Sequence, residues 1–328
     1  MFDLIINPTN KCNFRCDFCS AYNITNGEIN HHKVFKFIKE NINNIETIII
    51  NGGDPLMMPI YFYENLIKIL NEYDKINRIK ISLTTNLYDF YINTNKWVDI
   101  FKNKRIGIVT SFQYGNRRKL SDGRVFTEDM FRNIIKLFYN NIGYIPNFIY
   151  VIDHFNKKYV NNALLLAKDL NTKCKLNRVL CIGKNKDYFP LYEYFEILSD
   201  IIDNGLYLYE NNIMELQFLY YNKISSCPYN INCSKTIVTI NPDNTIHSCD
   251  KLSMYNTINK NVNYHIFKND CIKCENFIFC NSCKMTIYEA KINNDINFCK
   301  RMKEILPKFK NSIKEIRYET NKFISKHN

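Results

Sequence analysis

Three thiols fall within eight residues in Cys12-Asn13-Phe14-Arg15-Cys16-Asp17-Phe18-Cys19, separated by three residues and then by two. A loop that short wraps one small inorganic group and little else. Thiolates are the ligands of zinc and of iron–sulfur clusters. A structural zinc takes four closed ligands, and only three are local. A four-iron cluster held by three cysteines keeps one iron open to a substrate or cofactor, so the missing ligand reads as function. Three unrelated core cysteines are the bland alternative, and free cysteines do not ordinarily cluster this way.

The fold must therefore deliver this loop to a place that a ligand can reach. Short apolar runs alternate with amphipathic helical stretches over the first two hundred residues. Leu4–Ile6, Thr47–Ile50, Ile79–Thr85, Ile106–Phe112, Phe148–Ile152 and Cys174–Leu180 read as strands. Helices are expected at His31–Asn43, from Pro59 onward, and near 90–101, 127–140, 157–170 and 192–203. Repeated strand–helix units with fully apolar strands imply a parallel sheet with helices outside. Six units are too few for an eight-stranded barrel. The cysteine loop follows the first strand, and Asn51-Gly52-Gly53-Asp54-Pro55 follows the second, on the same side of the sheet. Asn86 and Ser111 end the third and fourth strands, and Arg117, Arg118 and Arg124 lie just beyond.

The spacing of Cys12, Cys16 and Cys19, with Phe18 before the last, resembles the radical S-adenosylmethionine (radical SAM) enzymes. The resemblance implies a partial (β/α)6 barrel with its chemistry at the C-terminal strand ends. It implies a [4Fe-4S] cluster on the three cysteines, whose open iron chelates SAM, and cleavage of SAM to a radical that abstracts hydrogen. Gly52, Gly53, Asp54 and Pro55 are similar to the family's Gly-Gly-Glu-Pro motif, which contacts the SAM amino group, with Asp in place of Glu. Asn86 and Ser111 stand where the family often has polar SAM contacts. One of Arg117, Arg118 and Arg124 is expected to pair with the SAM carboxylate.

A second cysteine field runs from Cys227 through Cys233, Cys249, Cys271, Cys274, Cys280 and Cys283 to Cys299. Eight cysteines suffice for two closed four-thiolate sites, of iron–sulfur or of zinc. Thr236–Ile240 and Thr245–His247 read as a hairpin turning on Pro242-Asp243-Asn244. The order resembles the SPASM extension of radical SAM enzymes, which carries two auxiliary [4Fe-4S] clusters. By position, Cys227, Cys233, Cys249 and Cys283 would hold one, and Cys271, Cys274, Cys280 and Cys299 the other. Two details depart from that pattern: Asn244 replaces a turn glycine, and two residues rather than three separate Cys280 from Cys283. Asp250 follows Cys249, where sulfatase-maturing members have a catalytic base. It reads equally as a carboxylate bonded to backbone amides. His247 reads as structural or exposed, and Cys174 and Cys181 as buried small hydrophobes.

The 328 residues are thus expected to divide into an α/β partial (β/α)6 TIM barrel at 1–205, a linker at 206–225, a small cysteine-rich auxiliary-cluster domain at 226–300, and a basic C-terminal helix at 301–328 interrupted at Pro307. With 44 Lys and Arg against 32 Asp and Glu, the chain carries net +12, a balance that suits an acidic partner or nucleic acid. Abundant Lys, Asn and Ile, as in an AT-rich genome, account for it more simply, so nucleic acid is not the expected partner. No signal peptide opens the sequence, and no apolar run approaches the ~20 residues of a membrane helix. Thirteen cysteines in such a chain point to metal binding in a reducing cytoplasm.

The expected function is oxidative modification of a peptide or protein residue, as a crosslink, thioether or formylglycine, using three [4Fe-4S] clusters and SAM. A flavodoxin or ferredoxin would supply electrons. Only about ten residues precede Cys12, so a separate leader-peptide-binding protein is a further expected partner. A radical SAM dehydrogenase of a small molecule and a non-catalytic zinc or nucleic-acid binder are the competing readings.

Overall fold

The protein is described by a computed structural model, covering residues 1–220, 236–256, 273–280 and 283–326. Cys227, Cys233 and Cys271 lie outside the described residues. In chain order the elements are β1 (Phe2–Ile6), α1 (His31–Asn41), β2 (Ile45–Ile50), α2 (Ile60–Tyr73), β3 (Lys80–Thr84), α3 (Tyr88–Ile92), α4 (Thr94–Phe101), β4 (Ile106–Ser111), α5 (Glu128–Ile142) and β5 (Asn147–Ile152). There follow α6 (Val160–Asp169), β6 (Cys174–Arg178), α7 (Leu191–Asp203), α8 (Asn211–Tyr220), β7 (Ile237–Ile240), β8 (Ile246–His247) and α9 (Asp250–Asn256). A helical turn at Phe277–Cys280 precedes α10 (Lys284–Ile292) and α11 (Phe298–Lys326).

The strands form one sheet in the order β6-β5-β4-β3-β2-β1-β7-β8. β1 to β5 pair in parallel with their sequence neighbours, for example Leu4 with Ile48, Ile48 with Ile81 and Ile81 with Ile106. Six β/α units in sequential order are the topology of the partial (β/α)6 barrel, and the fold class is α/β as the alternation implies. The apolar runs are buried on both sides: Leu4, Ile6, Ile48, Ile50 and Leu83 have no exposed surface. Each such side chain contributes roughly 1.5–3 kcal/mol by burial.

The chain divides into two compact units, residues 1–150, 182–186 and 232–262 in the first, and 151–181, 187–231 and 263–328 in the second. The first unit holds the expected hairpin of β7 and β8, with Asn244 in the left-handed turn conformation at φ 64°. It also holds a pairing that the apolar pattern does not reveal. β7 lies parallel to β1, Leu4 opposite Val238 and Ile6 opposite Ile240. Local punctuation sets its helices. Thr127 caps α5 by accepting the Met130 amide, Glu128 and Asp129 fill the first turn, and Gly143 ends it at φ 93°. The expected helix near 90–101 is two, α3 and α4, broken at Asn93.

In the second unit, α7 packs on α11 through Phe195 and Phe309, whose ring centroids are 4.9 Å apart, with Phe279 5.3 Å from Phe309. Lys308 reaches Asp203 at 3.3 Å. Pro307 does not interrupt α11, which continues from Phe298 to Lys326. The missing N–H removes one helical bond, while Leu306 and Phe309 on either side are fully buried. Burial of that stripe outweighs the lost bond. Arg178, at the end of β6, forms a buried ion pair with Glu289 of α10, and Glu289 also accepts the Cys181 amide at 2.9 Å. Cys174 is buried, and the Cys181 thiol points at the Asn293 carbonyl, 3.7 Å away.

Candidate active site at the strand ends

Within the first unit, the C-terminal ends of β1 to β4 gather the cysteine loop, the Gly-Gly-Asp-Pro turn, Asn86 and Ser111. The two glycines serve the loop itself. A Cβ on Gly53 would sit 2.2 Å from the Lys11 carbonyl oxygen and 2.6 Å from that of Asn10; one on Gly52 would meet the Thr9 oxygen at 2.6 Å. Only hydrogen at these positions lets the backbones close, and they do: the Gly53 and Asp54 amides donate to the Thr9 and Lys11 carbonyls, each at 2.8 Å. The approach to Cys12 is thereby stitched to the end of β2. Gly183, at φ 73°, abuts the other end of the loop, where a Cβ would fall 2.6 Å from the Cys19 carbonyl oxygen.

Asp54 is buried, and its carboxylate accepts the Leu56 amide, the Thr85 hydroxyl and the Asn86 amide at 2.8–3.1 Å. Burial still pushes its pKa up to about 6 against those bonds. Its visible work is to join the ends of β2 and β3. Asn86, so held, donates to Asn13 at 2.6 Å and points at the Cys12 sulfur from 3.8 Å. Pro55 starts a short 3-10 turn, and its carbonyl accepts the buried Tyr63 hydroxyl at 2.6 Å.

Beyond Ser111, residues 117–121 run antiparallel to residues 13–17. The Arg15 amide donates to the Lys119 carbonyl, the Asp17 amide to that of Arg117, and the Ser121 amide to that of Asn13, at 2.8–2.9 Å. Side chains on such a ribbon alternate between faces. Phe14, Cys16, Phe18, Arg118 and Leu120 are buried on one; Arg15, Asp17, Arg117 and Lys119 retain exposure on the other. Arg118 is the inward arginine of the three. Its Nη2 donates to Ser111 Oγ at 2.7 Å, and its guanidinium lies 4.9 Å from the Phe14 ring centre. Its Nε is buried with no partner. Arg124 is instead exposed and paired with Asp122 at 2.7 Å.

Asp250, the first residue of α9, comes to the same strand end. Asn7, fully buried directly after β1, donates its amide to Asp250 Oδ1 at 2.7 Å and to Asn241 Oδ1 at 3.0 Å. Burial raises the Asp250 pKa, with the Asn7 bond opposing it. Asn7, Arg118 and Gly183 thus join the site without having been singled out as contacts by the sequence pattern. An arginine among three was flagged; nothing in a period or motif distinguishes Asn7. Of the second cysteine field, Cys249 belongs to the first unit, and Cys274, Cys280, Cys283 and Cys299 to the second. The Cys283 amide donates to the Cys280 carbonyl at 3.1 Å, and Cys283 stands at the N-cap position of α10 with no side-chain cap bond.

The donor set of the first loop suits a polynuclear cluster. The charges of Cys16 and Cys19 reach Cys12, and that of Cys16 reaches Cys19, although among the described residues no group of three or more His, Cys, Asp or Glu side chains is placed to hold a metal ion. Burial, with the charge of Asp54 nearby, pushes the Cys12 thiol up to about 12, so iron binding must displace protons. A buried guanidinium with an unsatisfied Nε suits the carboxylate of an amino-acid ligand such as SAM.

Comparison with known proteins bears on the family and the fold. A family model described as the radical SAM superfamily matches residues 6–189, more than half of the chain. A cysteine-type anaerobic sulfatase-maturating enzyme of Clostridium novyi (strain NT) is 26% identical over 212 residues, 61% of this chain and 52% of that protein. A GTP 3',8-cyclase of Aliarcobacter butzleri (strain RM4018) is 33% identical over 91 residues, 26% of this chain and 27% of that one. The chain thus spans about half or less of these curated relatives. Among solved structures, anSMEcpe with bound AdoMet superposes with a TM-score of 0.67 at 16% identity, over 96% of this chain and 99% of that one. Streptococcus suis SuiB bound to precursor peptide SuiA gives 0.56 at 16% identity, over 79% and 61%. At these identities both speak for the fold.

Proposed function

The chain belongs to the radical SAM superfamily, and from that premise we propose that it is a peptide or protein maturase with three [4Fe-4S] clusters and a SPASM-type auxiliary domain. One observation carries the reading: three cysteines on a single loop at the end of β1, stitched to the Gly-Gly-Asp-Pro turn, with Asp250 tied through Asn7 to that same strand end. When bound, the cluster and SAM supply a one-electron cleavage that ends in removal of a hydrogen atom from the substrate.

The chain's residues do the rest. Cys12, Cys16 and Cys19 hold the iron, with Asn86 beside Cys12. Gly52 and Gly53 present backbone to the SAM amino group, Phe18 lines the loop, and Arg118, steadied by Ser111, pairs with the SAM carboxylate. Asp54 and Pro55 fix the turn. Asp250 keeps Oδ1 on Asn7 and takes a substrate proton on Oδ2. The eight later cysteines hold two auxiliary clusters, Cys227, Cys233, Cys249 and Cys283 in one and Cys271, Cys274, Cys280 and Cys299 in the other. The sequence boundaries at 205, 225 and 300 divide barrel, linker, auxiliary domain and final helix. A flavodoxin or ferredoxin delivers electrons in the cytoplasm. Among the described residues no helix is long and apolar enough to cross a membrane.

The reading is supported by a relative named as a cysteine-type anaerobic sulfatase-maturating enzyme, and a solved structure of similar fold is bound to a precursor peptide. Its test is anaerobic incubation with SAM and dithionite. The wild type should release 5′-deoxyadenosine, and a protein with Cys12, Cys16 and Cys19 all replaced by Ala should release none. Wild-type release by that variant sinks the proposal.

A further inference from the structure

Among the described residues, the side-chain amides of Gln113 and Asn276 are buried with neither end bonded. Asn276 stands between two cysteines of the later field, two residues after Cys274 and four before Cys280. It precedes the helical turn Phe277–Cys280, a position where an asparagine side chain ordinarily accepts a first-turn amide. Here its backbone carbonyl takes the Phe279 and Cys280 amides, each at 3.2 Å, and the side chain is left over. Asn276 is 1% exposed, and both Oδ1 and Nδ2 lack a partner. Leaving a buried donor unmade is costly, so the position calls for an acceptor. The Cys280 amide closes one turn on Asn276, and residues four apart on a turn share a side, which puts Asn276 on the side of Cys280. The rest of the segment is tied elsewhere. Phe279 packs on Phe195, Phe309 and Tyr220, with ring centroids 6.0, 5.3 and 6.1 Å away, and Lys310 donates to the Glu275 carbonyl at 2.5 Å.

We infer that the Asn276 amide donates a hydrogen bond to a sulfur of the iron–sulfur cluster held in part by Cys274 and Cys280, and so keeps that cluster's reduction potential up. The inference rests on the auxiliary-cluster reading given above and adds a side chain that tunes one of those clusters. The orphaned amide is what fits the group: a thiolate or sulfide sulfur accepts and cannot donate, and Nδ2 donates and has no acceptor. A half-turn of the amide exchanges its two ends, so either position can present the donor. Reduction adds one electron to a cluster that is already anionic. A donor on its sulfur stabilises the more negative state and raises the potential, which an apolar contact does not do. Phe279, fully buried on the same short segment, offers only such a contact.

The test is a redox titration of the anaerobic full-length holoprotein followed by electron paramagnetic resonance, with the titrant supplying the electrons. Added SAM perturbs the signal of the first-loop cluster and so marks it; signals that SAM leaves alone belong to the later field. Asn276→Leu keeps the approximate shape and removes the donor. One later midpoint should fall in this variant. At the potential that half-reduces that cluster in wild type, the reduced-to-oxidised ratio should drop about tenfold, equivalent to about 59 mV for one electron. The other later midpoint, the iron count and 5′-deoxyadenosine release with dithionite should match wild type. Both later midpoints unmoved, with iron retained, overturns the inference. If Asn276→Leu loses a cluster, wild type decides. With asparagine carrying ¹⁵N at its side-chain amide, spin-echo modulation of a SAM-insensitive reduced signal should show coupling to ¹⁵N, and its absence overturns the inference. Failure of the auxiliary-cluster reading looks different: wild type would give no SAM-insensitive signal, with zinc or no metal on the later cysteines.

Discussion

The two cysteine fields are positioned by different means. Cys12, Cys16 and Cys19 sit on one loop whose two ends are fixed by neighbouring backbone, at Gly53 and at Gly183. Asn86 and the 117–121 strand hold its middle. Described cysteines of the later field sit at helix ends: Cys249 just before α9, Cys280 closing a helical turn, Cys283 at the N-cap position of α10, and Cys299 exposed near the start of α11. Cys249 and Cys283 even fall in different units. The contrast is one of support: neighbouring backbone holds the first loop at both ends, whereas the described cysteines of the later field sit at or near helix ends.

The strongest way to break this comparison is the triple Ala variant at Cys12, Cys16 and Cys19. SAM cleavage should vanish, while about eight irons remain, counted at four per auxiliary site. A count near four would mean that one later site is built otherwise, and the short Cys280–Cys283 spacing makes Cys283 the first suspect.

Asp250 belongs to both sides of the contrast, since it follows Cys249 yet is held from β1. In Asp250→Asn the carboxamide oxygen can still accept the Asn7 bond, so the fold and SAM cleavage should survive. Product formation should fall by about 10²–10⁴, with substrate deuterium still entering 5′-deoxyadenosine. Parallel loss of iron and of both activities would reduce Asp250 to a structural carboxylate.

Gly53→Ala sharpens the claim that backbone builds the first site. A methyl 2.2 Å from the Lys11 oxygen cannot be accommodated without parting the stitch. Iron should drop by about four per chain with the auxiliary complement intact. Retention of full iron and SAM affinity would show that the loop tolerates a detached β2.

The smallest effect concerns the second unit, where the barrel carries a clamp remote from either field in sequence. His154, two residues past β5, meets Asp187 at 2.6 Å and Glu193 at 3.2 Å, and Lys157 also reaches Glu193, at 3.1 Å. Burial would lower its pKa, but the two carboxylates raise it overall. A raised histidine pKa stabilises the folded state fully below about 6.5, and that contribution fades as pH rises through the raised value. The clamp is partly solvated, so the change is slight. Proton NMR of the imidazole should show the raised titration, and Asp187→Asn should move it down.

Much of the fold was legible. The six strand–helix units follow from apolar runs separated by capped amphipathic helices, and the Pro-Asp-Asn turn announced β7 and β8. What pattern reading missed is non-local. Nothing in Thr236–Ile240 says that it pairs with residues 3–6; a short apolar run specifies a strand, not its neighbour. Proline chemistry argued for a break at 307, and the burial of Leu306 and Phe309 overrode it. In the site, chain position flagged the turn and the strand-end polar residues. The choice among three arginines needed the ribbon's alternation, which only the pairing of 13–17 with 117–121 establishes. Asn7 was invisible because its partners lie more than 230 residues away.

The pairing of β1 with both β2 and β7 has a practical consequence. β1 is an interior strand only because a segment from beyond residue 232 covers its second side. A protein cut after residue 205 would leave the amides and carbonyls of Asp3 to Ile6 facing water on an apolar, flat strand, the kind of edge that recruits further chains. Such a fragment would aggregate, and its insolubility would be a matter of an uncovered seam and not of lost iron.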